Sequence, residues 1–269
     1  MRPVLALVAL AGCAGAEARS TGPAAPPPVP ATLAPADVGL HPGESMAFEV
    51  HLGGLLAGEA TLAVGEVGAV DGHRAVVVKS RAATAGAVDF VKHIVDEATT
   101  TIDLDSGKPM TVDSIVEDGG KRTTARATFG PAKVAISWAR TGEAPHQVGI
   151  ATAGLSVLDM HAAMGQVRGW RADVGATRTV YVIGGKRLWR VDLRYAGTAT
   201  VGSALGNRRA VQFDGQSFRA RGNLTLESTT AARTFSVWLS DDADRVPLRV
   251  VGHTELGDIT MELTDYQRP

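Results

Sequence analysis

Residues 43–52 read GESMAFEVHL, and the spacing of their apolar side chains decides the fold. Met46, Phe48, Val50 and Leu52 fall on one side of an extended chain, while Ala47, Glu49 and His51 fall on the other, as a half-buried strand requires. The same period of two returns in ATLAVGEV (60–67), RAVVVKS (74–80), TVYVI (179–183), LWRVDL (188–193), AVQF (210–213), FSVWLS (235–240), LRVVGHTEL (248–256) and ITMEL (259–263). Turn signals separate them: Gly53-Gly54, Asp71-Gly72, Ser106-Gly107, Asp118-Gly119-Gly120, Gly184-Gly185, Gly206-Asn207, Asp214-Gly215 and Gly257-Asp258. Glycine and Asx residues reach the positive φ angles that tight hairpins need. Short strands joined by short turns make antiparallel neighbours, so the expected class is all-β, a large antiparallel meander sheet curved into a barrel or sandwich.

One stretch breaks the period. In TAGLSVLDMHAAMG (152–165), Leu155, Leu158 and Ala162 share a helical face, Thr152 or Ser156 can cap, and Gly165 can stop the helix. This predicts one short central helix. A lone helix must bury its apolar stripe, so it is expected to plug or cross one end of the curved sheet.

The chain opens MRPVLALVALAGC, with a basic residue at Arg2, an apolar run from Val4 to Ala11, and then small residues, the pattern of a signal peptide. The run is far shorter than the roughly 18 to 20 residues of a membrane-spanning helix. Leu10-Ala11-Gly12-Cys13 resembles the lipobox of bacterial lipoproteins, which implies cleavage after residue 12 and lipidation of Cys13. The alternative is an ordinary signal peptide in which Cys13 is discarded. Ala14 after the cysteine implies, by the lipoprotein sorting rule, the periplasmic face of the outer membrane. Cys13 is the only cysteine in the chain, so neither disulfides nor a cysteine-based metal site is expected. Residues 13–40 are rich in alanine and proline and read as a semi-extended tether. Residues 41–269 then form a single β domain.

Composition narrows the function classes. A net charge of −1 and 5% aromatic residues offer neither the basic surface nor the stacking platforms of a nucleic-acid-binding protein. The most conspicuous candidate site is WLSDDADRVPLRV (238–250), which puts Asp241, Asp242 and Asp244 within four positions. A calcium hand loop begun at Asp242 would place Val246, Pro247 and His253 where an oxygen ligand, glycine and glutamate belong, so the match fails. A hairpin tip fits better, with Arg245 able to pair with one carboxylate; surface calcium or a partner contact is the alternative. His93 has helical ligand spacing to Asp96 and Glu97, and Asp159 lies two residues from His161, but no third metal ligand is identified for either pair. These read as solvated or hydrogen-bonded surface groups. Ser156 lacks the closing glycine of a nucleophile elbow, and no phosphate loop or dinucleotide fingerprint is present. No catalytic, cofactor-binding or metal-ligating residue is therefore assigned, no cofactor is expected, and the protein is expected not to be an enzyme.

Three stretches resemble a family of exported bacterial proteins of unknown function, the DUF3108 type. GESMAFEVHLGGLLAGEATLAV (43–64) is similar to its opening, GLSVLDMHAAM (154–164) to its short helical segment, and VWLSDDADRVPLRV (237–250) with GDITMEL (257–263) to its C-terminal signature. The resemblance covers His41 to Tyr266. Val157 and Met160 stand where the family carries aromatic residues. It implies a mostly antiparallel β fold in the cell envelope and no known reaction. The resulting expectation is a lipid-anchored envelope protein that binds a lipid or other apolar ligand in a curved sheet. A scaffolding lipoprotein acting through envelope protein partners and an undetected hydrolase are the alternatives.

Overall fold

A computed structural model describes residues 38–152, 154–227, 232–254 and 257–268. Cys13, the leader and the tether up to residue 37 lie outside the described residues. The elements run β1 (Ser45–Leu52), β2 (Leu55–Val64), β3 (Gly68–Val70), β4 (His73–Thr84), α1 (Gly86–Val91), β5 (Ile94–Asp103), β6 (Pro109–Asp118), β7 (Lys121–Phe129), β8 (Lys133–Arg140) and β9 (His146–Ala151). They continue as β10 (Val157–Asp159), α2 (Met160–Gly169), β11 (Thr177–Gly184), β12 (Arg187–Ser203), β13 (Gly206–Ala220), β14 (Arg233–Ser240), β15 (Pro247–Thr254) and β16 (Gly257–Gln267).

The strands form one sheet in the order β10-β11-β12-β13-β14-β15-β16-β1-β2-β4-β5-β6-β7-β8-β9, with β3 paired to β4 alone. Apart from the parallel pair β10–β11, successive strands meet as antiparallel neighbours, as short turns demand. The first and last strands meet in the middle: Phe48 of β1 faces Ala60 of β2 and Leu263 of β16. Met46, Phe48 and Val50 are buried, whereas Glu49 is exposed. At roughly 1.5–3 kcal/mol for each buried side chain, this face fixes the register, since a one-residue slip would turn all three to water.

The ladder does not close. Its two edges, β9 and β10, are consecutive in sequence but do not pair. Packing joins them instead. Ala127, Val134, Ile136 and Ile150 of β7 to β9 meet Val157, Tyr181, Ile183 and Leu188 of β10 to β12 in one apolar cluster. On the other side of β11, Val182 joins the main core with Phe48, Leu62, Phe213 and Leu248. Both faces of β11 are thus buried, and the sheet is curled over its own edge like a barrel held shut by side chains.

The central helix exists, but it starts later and runs further than the spacing predicts. Val157 to Asp159 extend as β10 beside β11, and α2 begins at Met160. The cap is Asp159, whose carboxylate accepts from the backbone N–H groups of His161 and Ala162, rather than Thr152 or Ser156. Leu155 and Leu158 mimic a helical face, yet Leu158 fills the core from a strand. Gly165 does not stop the helix. It gives close passage to the incoming chain: Leu40 packs against Gly165, and Gly39 lies against the backbone of Gly165 and Gly169 so tightly that a Cβ there would clash. Leu40, placed by composition at the end of the tether, is therefore part of the core. A further short helix, α1, interrupts the meander where the sequence pattern predicts none.

Gly53-Gly54, Asp71-Gly72 and Gly119-Gly120 occupy hairpin turns as expected, whereas of Gly184-Gly185 only Gly185 does, beside Lys186, with Gly184 ending β11. Asp214-Gly215 does not. It lies inside β13, where Gly215 pairs with Phe235 and the phenyl ring covers the space a side chain would take.

Candidate functional site

The concave face of the sheet and α2 enclose a cavity of about 240 Å³. Its position follows from the helix register. Met160, Ala163, Met164 and Val167 line it, the i, i+3, i+4, i+7 set of one helical face. Opposite stand Phe48 and Leu62 of β1 and β2, Val191 of β12, Phe235 of β14 and Met261 of β16. Methionine on both walls makes the cavity adaptable, because an unbranched thioether chain refits to different apolar shapes. The lining reaches Arg233, His253 and Thr254 at the end of the sheet where the β15–β16 and β1–β2 hairpins adjoin, Gly53 N–H donating to the Asp258 carbonyl at 3.0 Å. At that same end Leu55, Phe90 and Val91 are 74%, 95% and 86% exposed.

A polar cluster borders the cavity. His161 Nε2 lies 2.8 Å from Ser80 Oγ, and its Nδ1 lies 2.7 Å from Thr100 Oγ1. Thr100 Oγ1 in turn lies 2.5 Å from Asp159 Oδ2. Ser80 and His161 face the cavity, while Thr100 and Asp159 are buried behind them. Burial lowers the pKa of His161, against the opposing pull of Asp159, so the imidazole is held neutral. The composition is that of a nucleophile triad, but Thr100 stands between ring and carboxylate, which are 3.5 Å apart. Ser80 also lies mid-strand, paired with Leu62 and Ala98, so the neighbouring N–H groups serve the ladder rather than an oxyanion. The arrangement positions a hydroxyl.

Asp159 and His161 are thus not the surface groups that their spacing suggests. They terminate and anchor α2. His93 does not gather with Asp96 or Glu97 either: its Nδ1 pairs with Asp89 at 2.7 Å, and Glu97 pairs with Arg81 at 3.3 Å. Asp96 points to the inner face of β5, where burial, reinforced by repulsion from Glu97, pushes its carboxyl up to about 7. Ser156 is exposed in the link between β9 and β10. Val157 packs in the second apolar cluster, and Met160 lines the cavity. Among the described residues no three His, Cys, Asp or Glu side chains converge as metal ligands would, and no helix is long and apolar enough to cross a membrane.

The acidic stretch is a hairpin tip. Asp242 Oδ1 accepts from Ser240 Oγ at 2.7 Å and from the N–H groups of Asp244 and Arg245 at 3.1 Å, the side-chain-to-backbone bonding of an Asx turn. Asp241 pairs with Arg209 at 2.8 Å and Asp244 with Arg268. Arg245 does not take the carboxylate partner anticipated for it; it forms the bend, with φ at 49°. The tip also has a role that local sequence does not show. The carbonyls of Asp244 and Arg245 accept from Arg168 of α2, and that guanidinium forks onto Glu44 just before β1.

The family model described as "Protein of unknown function (DUF3108)" matches residues 47–264. No curated protein matches the chain. Among solved structures, a β-barrel-like protein of the DUF1849 domain from Brucella abortus superposes with a TM-score of 0.54 at 10% identity, covering 83% of this chain and 96% of its own. A putative exported protein with a YmcC-like fold from Bacteroides fragilis gives 0.38 at 7% identity, over 85% and 97% of the two chains. The lipoprotein LppX of Mycobacterium tuberculosis gives 0.25 at 12% identity, over 84% and 87%. The Brucella protein shares the fold.

Proposed function

The chain belongs to the DUF3108 family of proteins of unknown function, and from that premise we propose that it is a lipid-anchored cell-envelope protein that holds a lipid or other apolar chain in the concave face of its sheet. The observation that carries this reading is the cavity itself, a space of about 240 Å³ walled on one side by a helix face and on the other by the inner face of the sheet. An acyl chain entering it gains about 0.8 kcal/mol for each methylene taken from water. The volume of about 240 Å³ lies below the roughly 300 Å³ at which ordinary ligand pockets begin, so the chain it holds must be slender.

Location in the envelope rests on MRPVLALVALAGC at the N-terminus and on acylation of Cys13. The exposed Leu55, Phe90 and Val91 at the cavity's open end fit loading from a lipid surface, because such a cluster rarely faces water without a partner. Gly39 lies at the opposite end, beside the last turn of α2. A tether of residues 13–37 has a contour length of roughly 80 Å at about 3.3 Å per residue, enough for the open end to face the membrane that carries the anchor.

The test is native mass spectrometry of the full chain carrying Cys13→Ser, purified from its own cells without detergent. A bound species of lipid mass, released on unfolding, is expected. An empty protein that also fails to take up added acyl chains would overturn the proposal.

A further inference from the structure

The proton positions in the cluster beside the cavity are dictated by its buried end. Asp159 accepts the backbone N–H groups of His161 and Ala162 as well as Thr100 Oγ1, so it acts as a carboxylate with no hydrogen to give. The Thr100 hydroxyl therefore donates to Asp159. Having one hydrogen, it must accept from His161, which fixes the proton of the neutral ring on Nδ1. Nε2 is left with a lone pair, and Ser80, 2.8 Å away, donates to it. The Ser80 oxygen then presents only lone pairs to the cavity. A chain of four groups thus turns a serine, which could serve either way, into a dedicated acceptor.

We infer that Ser80 is the polar contact for the ligand of this cavity, and that the ligand class is a long-chain molecule bearing a hydrogen-bond donor, a hydroxyl above all, rather than an ester or an ionised carboxylate. The inference rests on the apolar-chain reading above. An ester offers only acceptors, and the one hydrogen on Ser80 is already committed to His161. A carboxylate would in addition meet those lone pairs in an apolar space backed by the Asp159 charge, with its hydration lost and nothing returned. A hydroxyl completes the chain, giving its own hydrogen to Ser80.

The experiment uses the full chain carrying Cys13→Ser and two probes of equal chain length, dodecan-1-ol and dodecyl methyl ether, which differ in the presence of a donor. Affinities are read by displacement of a fluorescent apolar dye. Ser80→Ala is expected to weaken the alcohol by roughly five- to tenfold and to leave the ether within about twofold, the scale of one hydrogen bond. Ser80→Thr, which keeps the hydroxyl, is expected to retain the preference. Undiminished ether binding shows that the variant is folded and the cavity intact. If Ser80→Ala moves both probes equally, or neither, the acceptor role is wrong while the apolar cavity stands. If neither probe binds the unsubstituted cavity, the apolar-chain reading fails and this inference with it.

Discussion

Arg168 forks onto Glu44, Nη1 to Oε1 at 2.5 Å and Nη2 to Oε2 at 2.9 Å, and both side chains are completely buried. Charges removed from water in this way are tolerated only when every donor and acceptor is used. Here Arg168 Nε and Nη2 also donate to the carbonyls of Asp244 and Arg245, and Tyr266 Oη donates to Glu44 Oε2 at 3.3 Å. One pair thereby ties the entry to β1, the end of α2 and the tip of the β14–β15 hairpin into a single closed end of the barrel. Removing one partner strands the other. Glu44→Ala is expected to cost about 3–5 kcal/mol in chemical denaturation, and Arg168→Met combined with Glu44→Leu is expected to recover much of that loss. A cost below about 1 kcal/mol for Glu44→Ala would mean that the pair does not hold this end closed.

The hairpin tip itself should respond only weakly. Asp242 organises Ser240, Asp244 and Arg245 through hydrogen bonds to one exposed carboxylate. Asp242→Ala is expected to cost about 1 kcal/mol. Calorimetric titration with calcium should give no Asp242-dependent heat. A measurable calcium affinity lost in the variant would restore the metal reading of the acidic stretch.

Asp96 gives the fold a pH dependence with a defined sign. Its carboxyl is raised from 3.8 to about 7 by burial, so the native state holds a proton that the unfolded chain releases. Stability from this group is intact below about pH 4 and declines as the pH rises through 7. Asp96→Asn removes the decline. At pH 8 the variant should be more stable by on the order of 2–4 kcal/mol, or about 5 °C or more in Tm, and near pH 4 the two proteins should melt together. A constant difference at both pH values would show that Asp96 is ionised and solvated in the native state.

The exposed apolar rim predicts a separation of loading from binding. Phe90 and Val91 occupy α1 with no buried face, so Phe90→Glu should leave the melting temperature unchanged within about 1 °C. It should also leave the affinity for a soluble apolar dye unchanged, yet slow transfer of a fluorescent lipid from vesicles. Equal transfer rates would remove the rim from the loading step.

Strands near the two ends of the domain are legible in the amino-acid sequence because they alternate large apolar with polar residues. The strands β5 to β7 are hidden because their inner faces carry Asp96, Ala98, Ser114 and Ala125, small or polar groups that blur a period of two. The start of α2 is obscured by Leu155 and Leu158, which sit three apart, a spacing equally served by a link and a short strand; the better signal is Asp159 at the cap position. The candidate site is invisible in the sequence for a topological reason. Ser80 and Thr100 lie 81 and 61 residues from His161, and Arg168 lies 124 residues from Glu44. No local motif encodes such pairings, which arise only once β4, β5 and α2 are folded against one another.

Filling the space under α2 should abolish the binding of an apolar chain. Met164 faces the cavity from the middle of the helix, and Met164→Trp would push a larger apolar ring into that space. Titration of the full chain carrying Cys13→Ser with a fluorescent fatty probe should show saturable binding of one molecule. The same titration with Met164→Trp, folded by circular dichroism, should show at least about a tenfold loss, or roughly 1.4 kcal/mol. Equal binding by the two proteins, or none by either, would contradict the account.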